Sequence, residues 1–262
     1  MSRTIALITG ASSGIGAAYA RLLSPHFDFV LVARRADRLN ELAAELGKAG
    51  AAVEVLPADL STAEGVAAVS DRLAAGDVRL LIANAGAGAF SRLADTEPSD
   101  IDRLLTLNGT APVHLARAAL PGMLAAREGT VITVSSLLAF SAGQGFSMPR
   151  TLYAAAKASV VAFTRSLAGE LAGTGVRVQV LCPGVVDTEF HGGHGQRLPS
   201  AMSPEDVAKA SLTGLDLGES VCVPGLENLP DALDALLAAE SGLLAAGGSR
   251  TLAARYHQDQ PA

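Results

Sequence analysis

The order of apolar and helical stretches constrains the fold of this chain more than any other feature of its sequence. Six short runs are apolar or β-branched almost throughout, which is typical of strands that are covered on both faces. Stretches of helical character separate them, so strand and helix alternate from the start of the chain. This alternation predicts an α/β fold with a doubly wound parallel sheet of about seven strands and helices on both faces. The predicted strands span residues 4–9, 27–33, 52–56, 78–83, 130–134 and 176–182, and the predicted helices span 15–23, 37–47, 62–74, 99–126 and 152–172.

No linker or internal repeat interrupts this pattern, so we expect one domain over residues 1–246. The segment 184–202 differs, because it is rich in Gly and His and lacks apolar periodicity. It follows the sixth predicted strand at the sheet edge where open α/β sheets bind ligands, and we expect it to form a substrate lid. Ser203 and Pro204 then restart a helix as its cap and first residue. A strand at 220–223 and a helix at about 228–244 follow, and the polar tail 247–262 is expected to be mobile.

The composition favours a compact fold and argues against several kinds of partner. Apolar residues make up 49% of the chain and charged residues only 18%, which suits a large buried core. A net charge of −6 gives no reason to expect nucleic acid or a membrane surface as partner. We see no signal peptide and no apolar run of membrane-spanning length. Cys182 and Cys222 lie singly in apolar runs, which indicates buried free thiols in a reducing compartment, and we expect a cytoplasmic location.

A glycine-rich turn follows the first predicted strand and leads into a helix. Glycines in such a turn let backbone N–H groups approach a pyrophosphate, and the helix N-terminus adds a favourable dipole. Taken alone, the pattern also fits an ordinary tight turn. The turn lacks the Gly-Lys-Ser/Thr sequence of a nucleotide triphosphatase loop. The residues expected to bind a dinucleotide here are Gly10, Ser12, Ser13, Gly14, Ile15 and Gly16.

Two arginines follow the second predicted strand, where dinucleotide-binding folds often carry an acid. That acid binds the ribose 2′-hydroxyl, whereas a nearby arginine accommodates a 2′-phosphate. Here Ala33 takes the expected place of the acid, and Arg34 and Arg35 come next. A guanidinium pairs bidentately with phosphate, so this pattern predicts NADP(H) over NAD(H), with Arg34 most important and Arg35 or Arg38 assisting. The alternative interpretation is a solvated basic start of a helix.

Further candidates for the cofactor follow the third and fourth predicted strands. Asp59, with Leu60 beside it, is placed to accept a hydrogen bond from an adenine amino group, and a helix cap is its alternative role. Asn84, Ala85 and Gly86 end the fourth strand. Gly86 lets the chain pass close to a cofactor, and the Asn84 side chain can tie neighbouring strand ends together.

Tyr153 and Lys157 stand four residues apart in a predicted helix, so their side chains share one face. A free phenol titrates near pH 10 and is a poor base at neutral pH. An ammonium about 4 Å away is worth on the order of 4 kcal/mol at an effective dielectric of about 20, which brings the phenol pKa toward the neutral range. The pair therefore predicts a general acid–base at the carboxyl edge of the sheet. An exposed Tyr and Lys on one helix would explain the same spacing.

Polar residues at two other positions can take part in the same chemistry. Ser135 and Ser136 end the fifth predicted strand, where a hydroxyl can donate to a substrate carbonyl oxygen or satisfy its own backbone. Asn108 and Gly109 are poor helix formers in the middle of the predicted helix 99–126. A local kink that exposes a backbone carbonyl to water explains both residues and offers Lys157 a proton path.

Six motifs in this order resemble those of the short-chain dehydrogenase/reductase family. They are Thr-Gly-x-x-x-Gly-Ile-Gly, Asn-Ala-Gly, an Asn within a helix, a Ser-Ser strand end, Tyr-x-x-x-Lys and Pro-Gly, and they cover residues 4–188. The resemblance implies a single-domain Rossmann-type fold. It also implies that Lys157 holds the nicotinamide ribose and that Thr188 contacts the carboxamide. The implied catalytic set is Asn108, Ser136, Tyr153 and Lys157, and the implied nicotinamide-binding residues include Pro183, Gly184, Val186 and Thr188.

Two features depart from the family pattern. The family serine usually stands about thirteen residues before its tyrosine, but Ser136 stands seventeen before Tyr153. We therefore expect a longer substrate loop at 137–150, and Ser135 is the alternative catalytic serine. The sequence Val-Pro-Gly at 223–225 replaces the Gly-Gly end common in the family, so among homo-oligomers we expect a dimer rather than the usual tetramer.

His191 and His194 lie in a Gly-rich stretch of the expected lid. A metal site needs further ligands, and the local sequence offers neither a carboxylate nor a Cys to complete a set. We therefore expect no metal.

The leading hypothesis is an NADP(H)-dependent oxidoreductase that interconverts a carbonyl and an alcohol, with Tyr153 as general acid or base. The alternative is a non-catalytic NADP-binding sensor or scaffold, although binding alone does not require the Tyr, Lys, Ser and Asn together. An epimerase or dehydratase fits less well, because such relatives usually carry a larger C-terminal substrate domain. The expected lining by Phe140, Phe146, Met148 and Phe190 favours a fairly apolar small ketone or aldehyde.

Overall fold

One parallel sheet carries the fold in the computed structural model, which describes residues 3–88, 90–145, 148–190 and 198–256. The strand order along the sheet is the third, second, first, fourth, fifth, sixth and seventh, and every pairing is parallel. The predicted doubly wound α/β fold is confirmed. The strands are β1 (Thr4–Thr9), β2 (Phe27–Ala33), β3 (Val53–Pro57), β4 (Val78–Ala83), β5 (Gly129–Val134), β6 (Val176–Leu181) and β7 (Val221–Cys222).

The helices follow the predicted alternation, with bounds that differ by one or two residues at most positions. The predicted restart after the lid segment is confirmed, because the Ser203 hydroxyl accepts a hydrogen bond of 3.0 Å from the backbone N–H of Asp206. The helices are α1 (Gly14–Leu23), α2 (Ala36–Lys48), α3 (Ala63–Ala74), α4 (Pro98–Leu105), α5 (Ala111–Ala126), α6 (Thr151–Glu170), α7 (Pro204–Asp216) and α8 (Leu229–Gly247), with 3-10 turns at Leu93–Asp95, Leu137–Phe140 and Ala254–Tyr256.

Side chains of each central strand alternate between two apolar layers. In β1, Ala6 and Ile8 pack with α1, α2 and α7, whereas Leu7 packs on the other face with α3, α5 and α6. This alternation follows from the two-residue repeat of a strand. Because both faces are covered, the strands are apolar over most of their length, as the sequence pattern indicates.

The sequence-predicted helix 99–126 is interrupted at its centre. A π-helical turn at Thr106–Thr110 separates α4 from α5, and Asn108 within it is fully buried. A π turn inserts one residue into the helical ladder and turns that residue toward a neighbouring segment. The predicted break in the helix at Asn108 and Gly109 is therefore confirmed, whereas the exposed carbonyl and the proton path to Lys157 stay predictions.

The strand order reverses between β1 and β4, which are neighbours in the sheet although they are not consecutive in the chain. Such a reversal opens a crevice at the carboxyl ends of the two strands, because the connections leave toward opposite faces. The fold therefore places a ligand-sized cleft at the ends of β1 and β4.

The chain divides into two compact units, Met1–Gly225 and Leu226–Ala262. The first contains the sheet and α1 to α7. The second contains α8, in which Leu229 is buried, and the turn Ala254–Tyr256. The expected domain bounds, the lid, the mobile tail and the dimer stay predictions.

Cys182 and Cys222 are both free and buried, as their apolar surroundings predict. Within the described residues, none of the helices combines the length and the hydrophobicity that a membrane span requires.

Candidate active site

A cleft of about 1360 Å³ lies at the carboxyl edge of the sheet. It is lined by the ends of β1, β2, β4, β5 and β6 and by the segments that follow them. Of the predicted catalytic and cofactor-binding residues, all but Gly16, Arg38 and Asn108 line this cleft. Those that do are Gly10, Ser12, Ser13, Gly14, Ile15, Arg34, Arg35, Asp59, Leu60, Asn84, Ala85, Gly86, Ser136, Tyr153, Lys157, Pro183, Gly184, Val186 and Thr188.

The glycine-rich turn at one end of the cleft leaves no room for side chains. Gly10 and Gly14 have positive φ angles of 66° and 56°, which favour glycine. A Cβ on Gly16 would lie 2.5 Å from the Gly10 carbonyl oxygen and 2.8 Å from Asn84 Nδ2. Gly16 therefore does not line the cleft, but its lack of a side chain lets α1 pack closely against Gly10 and Asn84. Gly14 and Ile15, which begin α1, line the cleft, and the N–H groups at a helix N-terminus are suited to binding a diphosphate.

Asn84 ties the end of β4 to the end of β1, as its predicted role requires. Its Nδ2 donates to the Thr9 carbonyl at 2.9 Å, and the Thr9 hydroxyl accepts from the N–H groups of Asn84 and Ala85, each at 2.9 Å. These bonds keep the two strand ends at the base of the cleft in a fixed position.

The arginines after β2 form a positively charged corner beside the glycine turn. Arg35 donates to the hydroxyls of Ser12 at 3.0 Å and Ser13 at 2.9 Å. Arg34 is exposed and lines the same cleft. Arg38 adds a third guanidinium from the first turns of α2, where it pairs with Glu189.

Asp59 lies on the wall of the cleft near this corner. Its carboxylate accepts hydrogen bonds from the backbone N–H and the hydroxyl of Ser61, at 3.0 and 2.7 Å. The α3 cap is instead Thr62, whose hydroxyl accepts from the N–H of Gly65 at 3.1 Å. The alternative role of Asp59 as the cap is therefore not observed, and its carboxylate lies on the wall of the cleft.

Tyr153 and Lys157 lie at the other end of the cleft, in the first turns of α6, and both are buried. The Tyr153 ring packs against Phe90 and Phe190, with centroid separations of 5.7 and 5.9 Å. Lys157 Nζ donates to the Val134 carbonyl at 2.9 Å and lies 5.9 Å from the centroid of the Tyr153 ring. The spacing of four residues therefore brings both side chains into one space, as predicted.

Burial dominates the protonation of this pair. It raises the pKa of Tyr153 to about 12, and a hydrogen bond with Ser136 offsets part of that rise. It lowers the pKa of Lys157 to about 8, because a buried ammonium has lost its hydration. The expectation that Lys157 brings the phenol pKa toward neutrality is not met among the protein's own groups, since burial of the phenol is the largest cause and Ser136 offsets only part of the rise.

The two serines at the end of β5 have different partners. Ser135 is buried, and its hydroxyl donates to the Lys157 carbonyl at 2.8 Å. The Ser136 hydroxyl accepts from the N–H of Leu138 at 3.1 Å, and it lies near enough to the Tyr153 phenol to lower the pKa of that group. Ser136 is therefore the serine whose hydroxyl faces the phenol, whereas Ser135 anchors α6 to the sheet.

Asn108 supports the cleft from behind. Its amide oxygen accepts from the N–H of Ala87, and its amide nitrogen donates to the Ala87 carbonyl, both at 3.0 Å. A Cβ on Gly86 would lie 2.9 Å from Asn108 Oδ1 and 3.4 Å from Lys157 Nζ. The π turn thus places Asn108 beside Lys157 and fixes the segment after β4.

The segment after β6 closes one side of the cleft. A β-bridge between Val186 and Met202 holds the base of the expected lid, with hydrogen bonds of 3.0 Å between Asp187 and Met202 and between Met202 and Val185. Above the bridge, Thr188 lies against the glycine turn, since its Cγ2 is 2.9 Å from the Cβ position of Gly14. His191, His194 and Phe146 lie outside the described residues. Among the residues that are described, no group of three or more His, Cys, Asp and Glu side chains is arranged to hold a metal.

Sequence reasoning missed two important residues of the cleft, Phe90 and Glu189. Phe90 follows the Asn-Ala-Gly motif by four residues and reaches Tyr153. A single aromatic residue in a Gly- and Ala-rich stretch was its only signal. Glu189 pairs with Arg35 and Arg38, which lie more than 150 residues earlier in the chain. The residues around Glu189 in the sequence do not indicate this contact.

Comparison with known proteins agrees with the geometry of the cleft. Residues 4–198 match the family described as short chain dehydrogenase. The chain therefore belongs to the short-chain dehydrogenase/reductase family of oxidoreductases. An uncharacterized oxidoreductase of Staphylococcus aureus (strain N315) is 34% identical over 214 residues, which cover 80% of this chain and 90% of that protein.

Two solved structures share nearly the whole fold. A bulky-bulky ketone specific alcohol dehydrogenase from Comamonas testosteroni is 32% identical, with a TM-score of 0.88 and coverage of 98% of this chain and 100% of the other. A short-chain dehydrogenase from Sphingobium yanoikuyae, in complex with NADPH, is 37% identical, with a TM-score of 0.88 and coverage of 96% and 99%.

Replacement of Gly16 by Ala should destabilise the protein. The added Cβ meets backbone and a tied side chain that cannot move aside, so we expect the free energy of unfolding to fall by roughly 1–3 kcal/mol. The matched control is Gly47→Ala in α2, where a Cβ would meet nothing within 4 Å. This control should raise the free energy of unfolding by about 0.5–1 kcal/mol. Urea unfolding measures both, and equal effects of the two substitutions would contradict the close packing at Gly16.

The buried Lys157 ammonium should make stability depend on pH. The pKa of Lys157 is about 8 in the folded protein, whereas an unperturbed lysine, as in the unfolded chain, has a pKa of 10.5. At pH values between these two, the unfolded chain therefore binds more protons than the folded protein. The contribution of this residue to the free energy of unfolding therefore rises with pH across that window. Relative to Lys157→Met, the wild-type protein should gain on the order of 2 kcal/mol between about pH 8 and 10.

Urea unfolding of both proteins at several pH values tests this prediction. The difference between them removes the effects of Cys182, Cys222 and Tyr153, whose raised pKa values lower stability at high pH in both proteins. A difference that does not change with pH would mean that the folded protein keeps the Lys157 ammonium hydrated.

Proposed function

We propose that this protein is an NADP(H)-dependent oxidoreductase that interconverts a ketone or aldehyde and an alcohol, with Tyr153 as the general acid or base. The observation that carries the proposal is the arrangement of one cleft. Ser136, Tyr153 and Lys157 meet at one end, and the glycine turn and Arg35 meet at the other. A dinucleotide bound along the cleft would present its nicotinamide to the tyrosine and its adenosine to the arginines.

The fit to the cofactor is supported by features of this chain. The glycine turn and the start of α1 line the cleft with backbone N–H groups that suit a diphosphate, and the arginine corner offers guanidinium groups for a 2′-phosphate. When bound, NADPH supplies the hydride. The residues that we propose to contact it are Gly10, Ser12, Ser13, Gly14, Ile15, Arg34, Arg35, Asp59, Leu60, Asn84, Ala85, Gly86, Tyr153, Lys157, Pro183, Gly184, Val186 and Thr188, with Gly16 supporting the turn from behind.

Each polar residue at the chemical end has a distinct role in the proposal. The Tyr153 phenol donates a proton to the substrate oxygen as the alcohol forms, and takes it back in the reverse direction. Its raised pKa keeps it protonated at neutral pH, which suits the direction of reduction. The Ser136 hydroxyl donates a hydrogen bond to the same oxygen. Lys157 holds the nicotinamide ribose. Asn108 positions the segment after β4 through its hydrogen bonds with Ala87.

The lining beside Tyr153 supports an apolar substrate with large substituents. Phe90, Leu138, Phe140, Met148 and Phe190 line this end of the cleft. Apolar walls with a few convergent polar groups are typical of sites for small organic molecules. The related Comamonas testosteroni enzyme is specific for bulky-bulky ketones. We therefore propose bulky ketones as the first substrates to test.

A non-catalytic NADP-binding protein remains the second candidate function, and turnover separates the two. Purified protein is mixed with NADPH and a panel of bulky and small carbonyl compounds, and the absorbance of the reduced nicotinamide is followed. Oxidation of NADPH that requires the carbonyl supports the proposed enzyme. NADPH binding without turnover on any carbonyl would support the sensor instead.

Replacement of Tyr153 by Phe tests the general acid directly. The variant keeps the ring that packs against Phe90 and Phe190 but lacks the transferable proton, so we expect turnover to fall by about 10²- to 10⁴-fold. Tyr19→Phe is the matched control, because Tyr19 is also buried but lies in the helical layer away from the cleft. Full turnover by Tyr153→Phe would refute the assigned role.

Separate replacement of the two serines decides which one is catalytic. Ser136→Ala removes the hydroxyl beside Tyr153, and turnover should fall by roughly 10²- to 10³-fold with little loss of stability. Ser135→Ala leaves the Lys157 carbonyl without its buried donor, and the main effect should be a loss of about 1–3 kcal/mol in the free energy of unfolding. Steady-state kinetics and urea unfolding on both variants give the comparison. The reverse pattern would assign catalysis to Ser135.

A further inference from the structure

The carboxylate of Glu189 lies between two arginines at the adenosine end of the cleft. Arg35 Nη1 donates to Glu189 Oε2 at 2.8 Å, and Arg38 Nη1 donates to both carboxylate oxygens at 2.7 Å. Arg35 at the same time holds the hydroxyls of Ser12 and Ser13 on the glycine turn. One anionic group is therefore bound by the two guanidiniums beside the phosphate-binding turn.

These donors are the ones that a phosphate monoester would use. A phosphate offers three oxygens and up to two negative charges, and guanidinium groups are its preferred partners in proteins. Both arginines reach the same spot from the N-terminal part of α2 and its preceding residue, beside the end of β2. A 2′-phosphate that bound to these two arginines would therefore compete with the carboxylate of Glu189.

We propose that Glu189 is a specificity-determining residue for the cofactor, and that it reduces the preference of this protein for NADPH over NADH. The inference rests on the proposed function, because it concerns the same cofactor site. NADPH must displace the carboxylate from Arg35 and Arg38 before its 2′-phosphate can pair with them. NADH carries no phosphate at this position and leaves the pairs with Glu189 intact.

The ion pairs with Glu189 should weaken the binding of a 2′-phosphate. With Glu189 in place, the two guanidiniums are already partly neutralised, and a bound 2′-phosphate also lies close to a displaced negative charge. Removal of the carboxylate frees both cations for the phosphate, whereas NADH has no 2′-phosphate that could pair with them. Because the three side chains are 38–42% exposed, solvent screens these pairs and the effect is moderate.

The two residues next to Glu189 both pack against other parts of the cleft. On one side, Thr188 lies against Gly14 of the glycine turn, and on the other, Phe190 packs edge-on against the Tyr153 ring. The backbone is thereby held at both neighbours of Glu189. A substitution at Glu189 should consequently change charge without moving the segment.

Binding affinities measured by calorimetry test the proposal without reliance on turnover. The proteins are the wild type, Glu189→Gln and the matched control Glu45→Gln, and the ligands are NADPH, NADH, adenosine 2′,5′-bisphosphate and AMP. Glu45 is a suitable control because it also pairs with an arginine, Arg21 at 2.8 Å, and is 51% exposed, but it lies outside the cleft. The two nucleotides without nicotinamide isolate the 2′-phosphate.

We expect Glu189→Gln to bind NADPH and adenosine 2′,5′-bisphosphate roughly three- to tenfold more tightly than the wild type. Its affinities for NADH and AMP should stay within about twofold, as should all affinities of Glu45→Gln. The gain should also shrink when Arg38→Gln is combined with Glu189→Gln, because one of the two freed cations is then missing.

Two results would overturn the proposal. One is an equal change in the affinities for phosphorylated and unphosphorylated ligands, and the other is weaker binding of NADPH by Glu189→Gln. The proposed function fails in a different way, since then the wild-type protein binds neither NADPH nor NADH. Thermal unfolding of each variant, compared with Glu45→Gln, shows whether a change in affinity reflects loss of fold.

Discussion

The junction between the ends of β1 and β4 is the constraint on which the rest of the site depends. Three hydrogen bonds join Thr9 to Asn84 and Ala85 across the point where the strand order reverses. They bring the backbones so close that a Cβ on Gly10 would lie 3.0 Å from the Ala85 Cα. The glycines are needed because these segments approach each other closely, and the cleft opens directly above them.

The chemical end of the cleft depends on a second attachment, between β5 and α6. Lys157 donates from its side chain to the Val134 carbonyl and accepts at its own carbonyl from Ser135. This pair of bonds fixes the start of α6 against the strand end, and Tyr153, one turn earlier, is thereby held beside Ser136. The buried ammonium and the buried phenol both pay a desolvation cost, and opposed pKa shifts of this kind are typical of functional sites.

The two ends of the cleft are connected by three consecutive residues. Thr188 contacts the glycine turn, Glu189 pairs with the arginines and Phe190 packs on the tyrosine. A ligand that enters either end meets this short segment. The segment 188–190 therefore contacts both the glycine turn and Tyr153, and its base is held by the bridge between Val186 and Met202.

Features that depend on local residue patterns could be predicted before the fold was known. Apolar runs alternating with helical stretches predict the doubly wound sheet, because each element must bury its own periodic face. The spacing of Tyr153 and Lys157 predicts their shared space, since residues four apart lie on one helix face. The break at Asn108 was also predictable, because Asn and Gly are weak helix formers wherever they occur.

Other features depend on residues that are distant in the sequence or on burial in the folded protein, and they became clear only from the three-dimensional structure. It distinguished Ser136 from Ser135, which are adjacent in sequence but have different partners. It reversed the expected direction of the Tyr153 pKa, because burial is set by the surrounding fold and not by helix spacing. It also brought Glu189 to Arg35 across 154 residues, a contact that exists only once the strands have assembled and that no local pattern encodes.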